Sequence, residues 1–314
     1  MKILIWGDSY ACCDGVRDIN SWWPVQLLRR LTQSTAQPTV HARCKAGASN
    51  SRDEWLSRVT LGQHEVTIIA QTGKRSDELW TAVDLENATQ PLINYNWVII
   101  GVGANNQFQY GAEDTSGYEE DLVKLVKLAS IATGARPNRV IMYSIPYWHL
   151  TPNGASEETS KYRQDKYKVE DNSSNQVQID AYNQIARSVA RKRGISFVDI
   201  TPISAQIGTQ AKMVTEDKLH YSPQAFDALF LQPLLTVIQP IHEIENQIRH
   251  DQQVASVRIS IREDHPIEAE EKSSLTSGCI SFFSRCMKGL AACCTYEDEG
   301  QSLDGYNMKR RWSR

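Results

Sequence analysis

Short apolar runs recur along the first 200 residues, and each is followed by turn residues. Ile3-Leu4-Ile5-Trp6 is cut off by Gly7-Asp8, Val66-Thr67-Ile68-Ile69-Ala70 by Gln71-Thr72-Gly73, and Trp97-Val98-Ile99-Ile100-Gly101-Val102 by Gly103. Arg139-Val140-Ile141-Met142-Tyr143-Ser144-Ile145-Pro146 and residues 195–200 follow the same plan. Continuous apolar runs of this length, partly β-branched, predict strands buried on both faces. Between them the period changes to three and four residues. Trp23, Leu27, Leu28 and Leu31 share one side of a helix over 21–31, with Asn20 or Ser21 as cap and Pro24 in its first turn. A helix is expected after Gly73 through Leu79 and Trp80. Others are expected over 115–133, where Leu122, Leu125, Leu128, Ala129 and Ala132 share a face, and over 176–193, closed by Gly194. Residues 39–58 give no clear pattern, and the polar stretch 153–175 reads as a long exposed loop. Strands alternating with helices predict an α/β fold, a parallel sheet covered on both faces.

Beyond residue 242 the pattern fades. The expected organisation is a core domain over 1–242, a charged linker over 243–277 containing Ile267-Glu268-Ala269-Glu270-Glu271-Lys272, and an amphipathic cysteine-rich tail over 278–314. In the tail, Cys279, Phe283, Cys286, Leu290 and Cys293 form one helical stripe, and Lys309-Arg310-Arg311 lies close to the end. Two readings stand side by side: a helix docking on the core domain, or an interfacial helix with cysteines open to S-acylation and a basic cluster drawn to anionic lipid.

Composition removes several function classes. A net charge of −3 over 314 residues leaves no electrostatic footprint for nucleic acid. No apolar window is long enough for a spanning helix, and Gly7-Asp8 interrupts the N-terminal run before it could form a signal-peptide core. The expectation is a cytoplasmic protein, or one exported without a signal peptide, as a bacterial effector acting inside a eukaryotic cell would be. The seven cysteines, an odd number with four near the C-terminus, do not form a disulfide framework, and no paired Cys-x-x-Cys suggests zinc. No metal or organic cofactor is expected.

The chemistry gathers at strand ends, where open α/β sheets bind their ligands. Ser9 follows the first strand. A serine hydroxyl becomes a nucleophile only when an imidazole takes its proton and a carboxylate orients that imidazole. Among seven histidines, His220 stands out in Asp217-Lys218-Leu219-His220-Tyr221-Ser222-Pro223, where the spacing lets Asp217 reach Nδ1. His41 and His64 read as surface residues, His149 as a loop residue close to the cleft, and Trp22 and Trp23 as core.

Either motif alone is weak, since Gly-Asp-Ser is equally a tight turn and Asp-x-x-His equally a solvated loop. As a set, Gly7-Asp8-Ser9-Tyr10, a strand-end glycine, Gly103-Ala104-Asn105-Asn106, Ser144-Ile145-Pro146 and Asp217-Lys218-Leu219-His220 resemble the SGNH (GDSL-type) hydrolase family over about residues 1–240. Ile68-Ile69-Ala70-Gln71-Thr72-Gly73, Asn105-Asn106-Gln107-Phe108 and Thr201-Pro202-Ile203 are similar to a bacterial lipase/esterase-like branch. The resemblance implies a three-layer α/β/α, flavodoxin-like doubly wound fold. It also implies Ser9 as nucleophile, His220 as general base and acid, and Asp217 as its orienting group. The implied oxyanion donors are the Ser9 and Gly73 backbone N–H groups and the Asn105 side chain. Lys45-Ala46-Gly47-Ala48-Ser49-Asn50 also resembles the second block, so Gly47 is the alternative glycine. Asp8 is read as a structural hydrogen-bonding residue beside the nucleophile. The third block ends in Asn106 where the family more often has Asp, and Tyr147 stands where the branch more often has an acid. Expected substrates are lipid esters, acylated sugars or thioesters. A silent binding module and a membrane-tethered interaction protein are the readings from other classes.

Overall fold

A computed structural model of the chain describes residues 1–42, 55–113, 115–169 and 175–264. Seven strands form one sheet: β1 (Lys2–Gly7), β2 (Pro38–Ala42), β3 (Leu56–Leu61), β4 (His64–Ala70), β5 (Trp97–Gly101), β6 (Val140–Tyr143) and β7 (Ser196–Val198). Their spatial order is β2-β3-β4-β1-β5-β6-β7. Each expected apolar run is a strand, and β1, β4, β5, β6 and β7 pair in parallel. The sheet is not wholly parallel, because the unclear region contributes β2 and β3, which pair antiparallel with each other and, through β3, with β4. Leu56–Leu61 alternates half-buried and buried positions, the pattern of a strand with one covered face. Without these two strands the parallel order is second-first-third-fourth-fifth, the flavodoxin-like arrangement, whose direction reverses at β1.

Chain direction places the helices. From β1 the chain crosses through α1 (Trp23–Thr32) towards β4, and from β4 it returns through α2 (Ser76–Thr89) to β5. Right-handed crossovers in opposite directions put α1 and α2 on opposite faces. Next come α3 (Ala104–Tyr110), α4 (Thr115–Ala132), α5 (Glu157–Tyr167), α6 (Asn175–Lys192), α7 (Thr201–Ile207), α8 (Pro223–Phe226) and, after a π-helical turn, α9 (Gln232–Asp264). Helices α2, α4 and α6 pack side by side, while α1 packs against the π-helical turn before α9. Between these layers Ile3, Leu4, Ile5, Trp6, Ile99, Ile100, Ile141 and Leu122 are inaccessible to solvent. Two strand-end glycines are set by close approach. A Cβ on Gly101 would lie 1.7 Å from the Tyr143 ring, and one on Gly7 would lie 2.5 Å from the Gly101 carbonyl oxygen.

Three local expectations differ from the structure. The cap foreseen at Asn20 or Ser21 belongs to a separate 3-10 turn, Ile19–Ser21, capped by Asp18; α1 itself starts at Trp23, after Trp22 in extended backbone. Within the stretch read as a loop, α5 forms with Ser156 capping it through the Thr159 N–H, and Arg163, not an apolar stripe, is its buried residue. Helix α9 runs past residue 242 to Asp264, into the stretch expected to be a linker. The chain divides into a unit Met1–Arg249 and a unit His250–Arg314. The tail expectations, covering 278–314, and Gly47 lie outside the described residues. No helix among the described residues is long and apolar enough to cross a membrane.

Candidate active site

Ser9 sits just past the end of β1, at the point where the sheet reverses direction. The following loop is tightly wound: Ala11 and Cys12 N–H donate to the Asp8 carbonyl, and Asp14 N–H donates to the Ser9 carbonyl at 3.0 Å. Two indoles hold it from α1 and its N-cap, since Trp23 Nε1 donates to the Tyr10 carbonyl and Trp22 Nε1 to the Val16 carbonyl, each at 2.9 Å. Both tryptophans are core residues, as read from the sequence, and they also fix the loop that carries Ser9.

Asp217 and His220 share a loop after α7. Asp217 Oδ2 is 2.6 Å from His220 Nδ1, while Oδ1 accepts from the N–H groups of Leu219 (2.8 Å) and His220 (3.0 Å) and from the Thr215 hydroxyl (2.7 Å). Burial would raise the Asp217 carboxyl. The His220 hydrogen bond and charge and these backbone donors outweigh it and hold the group well below the usual carboxylate range. The His220 side chain is 11% exposed. Its ring packs against the Tyr10 ring, centroids 5.6 Å apart, so the histidine loop meets the residue next to Ser9. Ser9 itself is buried, and so is its neighbour Asp8. Asp8 Oδ1 accepts from Tyr10 N–H at 3.2 Å, yet burial pushes its carboxyl up to about 7.

The segments that hold Gly73 and Asn105 are joined by side-chain hydrogen bonds. Gly73 lies past β4 with φ +78°, the left-handed region that favours glycine. Asn105 Nδ2 donates to the Lys74 carbonyl (3.0 Å), and Gln109 Nε2 to the Gly73 carbonyl (3.1 Å). An asparagine amide has two hydrogens, and the bond to Lys74 uses one of them. Asn106 is engaged with Ser76 at the start of α2. Tyr147 donates to Asp180 at 2.6 Å, and the His149 ring contacts Tyr147 and Trp148. A cavity of about 880 Å³ adjoins the Asp217 side, lined by Cys12, Asp14, Arg17, Thr72, Glu216 and Asp217 among others.

Sequence reasoning passed over Tyr10, Asp14, Thr72 and Thr215, which tie the blocks to one another. Tyr10, Asp14 and Thr72 have partners far away in the chain, which no spacing rule marks, while Thr215 bonds Asp217 and His220 within its own loop.

Residues 5–228 match the GDSL-like lipase/acylhydrolase family, and the chain belongs to it. The class follows from the family match: a hydrolase acting on esters. No curated protein matches the chain. Similar solved structures include a lipase/acylhydrolase from Enterococcus faecalis, 16% identical over 77% of this chain and 95% of that one, with a TM-score of 0.47. An acetylxylan esterase from Geobacillus stearothermophilus is 17% identical over 76% of this chain and 93% of its own, TM-score 0.46. A member of the lipolytic G-D-S-L family from Veillonella parvula is 14% identical over 76% of this chain and 98% of its own, TM-score 0.47.

Proposed function

We propose that the protein hydrolyses carboxylic esters through an acyl-enzyme. Ser9 Oγ attacks the ester carbonyl while His220 Nε2 takes its proton, and Asp217 holds the imidazole through Nδ1 and stabilises the imidazolium. The negative charge on the tetrahedral oxygen meets the Ser9 and Gly73 backbone N–H groups and the Asn105 amide. The imidazolium then gives its proton to the leaving alcohol. Water repeats the sequence, with His220 as base, and releases the acid and the free serine. The observation that carries this reading is the 2.6 Å Asp217–His220 bond on a ring packed against Tyr10, next to Ser9.

The charged lining of the adjoining cavity supports a polar alcohol, such as an acylated sugar, as the second reading beside a lipid ester. The decisive experiment is a panel of p-nitrophenyl esters from C2 to C16 with wild type and Ser9→Ala. Ser9→Ala is expected to lose activity by at least about 10³-fold and to lose labelling by a fluorophosphonate, with its melting temperature retained. An unchanged rate removes Ser9 from the mechanism. Wild-type protein inert to both esters and probe would indicate a silent module.

A further inference from the structure

His220 faces two carboxylates. Besides Asp217, Asp14 Oδ2 lies 4.0 Å from His220 Nδ1. Asp14 comes from the nucleophile loop, not the histidine loop, and three features fix it there. Its N–H donates to the Ser9 carbonyl at 3.0 Å. Its Oδ1 accepts from Gly15 N–H and its Oδ2 from the Thr72 hydroxyl, both at 2.9 Å. Gly15 has φ +77°, and a Cβ there would lie 2.9 Å from Thr215 Oγ1, so the two loops touch at the Thr215 that also bonds Asp217.

We propose that Asp14 is a second positioning carboxylate for His220, acting from the nucleophile side while Asp217 acts from the histidine side. The proposal rests on the reading of His220 as general base. At 4.0 Å Asp14 does not share a hydrogen bond with the ring, so it acts through its field. It favours the imidazolium that forms when Ser9 gives up its proton, and it is placed to accept the Nδ1 hydrogen when Asp217 is disabled. The Thr72 bond adds a second consequence. Thr72 precedes Gly73, so one carboxylate links the proton-transfer loop to an oxyanion donor. The other groups facing the ring are the buried Asp8, whose carboxyl the charge of His220 lowers against the larger effect of burial, and the Tyr10 ring. Arg17 and Glu216 line the same cavity as the two carboxylates.

The test compares Asp14→Asn, Asp217→Asn, the double variant and His220→Asn, by kcat and KM for p-nitrophenyl acetate across pH. Asp14→Asn is expected to lower kcat about tenfold with KM changed less than about twofold. The acid limb of its kcat/KM profile moves to lower pH, because one of two anions favouring the imidazolium has gone. Asp217→Asn retains a residual rate that the double variant loses by a further factor of about a hundred, since Asp14 no longer substitutes. Thr72→Val keeps the Asp14 charge but removes its anchor. It gives a smaller fall in kcat, and it decides the matter if Asp14→Asn does not fold. Unchanged kcat and acid limb in Asp14→Asn, or a double variant no slower than Asp217→Asn, overturns the proposal while loss of activity in His220→Asn leaves the parent reading standing. Full activity in His220→Asn overturns both.

Discussion

Asn106 bonds Ser76 in both directions. Its Oδ1 accepts from the Ser76 backbone N–H at 2.9 Å, and its Nδ2 donates to Ser76 Oγ at 2.9 Å. Ser76 Oγ donates its own proton to Asp121 Oδ2, also at 2.9 Å. At position 106 an Asp would not serve in place of the Asn. The serine oxygen needs a donor, and a carboxylate has none.

Asn106→Asp is therefore expected to destabilise the protein. The new carboxylate would still accept from the Ser76 N–H, but it would face a hydroxyl already committed to Asp121. The expected loss is about 1–3 kcal/mol in urea unfolding, the usual cost of an unmet buried polar group. Because Asn105 is the neighbouring residue, kcat falls as well. A variant within about 0.5 kcal/mol of wild type would show that the Ser76 bond is dispensable.

Asp8 makes stability depend on pH. Its carboxyl is 2% exposed and is pushed up to about 7, chiefly by burial, despite the N–H groups of Tyr10 and Ala104 and the charge of His220. An unfolded aspartate titrates near 3.9, so over the interval between the folded chain holds a proton that the unfolded chain has released. This contribution is complete below about pH 4 and is lost as pH rises through about 7, amounting to about 4 kcal/mol in all. Asp217 runs the other way: its carboxyl is held down, so its contribution is present above the ordinary carboxylate range and lost as pH falls through the folded value. Asp8→Asn mimics the protonated form. Its stability relative to wild type should therefore rise by about 3 kcal/mol from pH 5 to pH 8, read from urea midpoints. A difference that does not vary with pH would mean that Asp8 ionises as freely in the folded chain as in the unfolded one.

What the sequence revealed follows the reach of each interaction. The strands at Ile3, Ile68, Ile99 and Ile141 were legible because two-sided burial writes a continuous apolar run. Asp217 and His220 were legible because both partners lie within one loop. Strand β3 was obscured because its alternation is short and the stretch before it is polar. Helix α5 was missed for a different reason: its one buried side chain is a cation, Arg163, and periodicity registers apolar stripes. Asp14 and Thr72 were invisible because they lie 58 residues apart, and only the parallel pairing of β1 with β4 brings them together.

Arg163 gives the remaining prediction. Its residue is fully buried, and burial lowers its guanidinium to about 10. Nε donates to the Phe108 carbonyl at 2.9 Å, one terminal nitrogen donates to the Gln107 carbonyl at 3.0 Å, and the other donates to Asn175 Oδ1. The cation also lies 5.2 Å from the Phe108 ring centroid and 5.4 Å from that of Trp148. Gln107 and Phe108 belong to α3, the helix that begins beside Asn105, so Arg163 fastens α5 to the element bearing the proposed oxyanion donor. Arg163→Met keeps the bulk and leaves these oxygens without their donor, which should cost about 3 kcal/mol or more. Arg163→Lys, with one compact donor group in place of a planar fork, should recover only part of it. In Arg163→Met, trypsin should cut more readily at Lys161 and Lys166 as α5 loosens, and kcat should fall with Asn105 less firmly held. Unchanged unfolding and unchanged cleavage would mean that α5 is held by its other contacts, with Arg163 merely filling space.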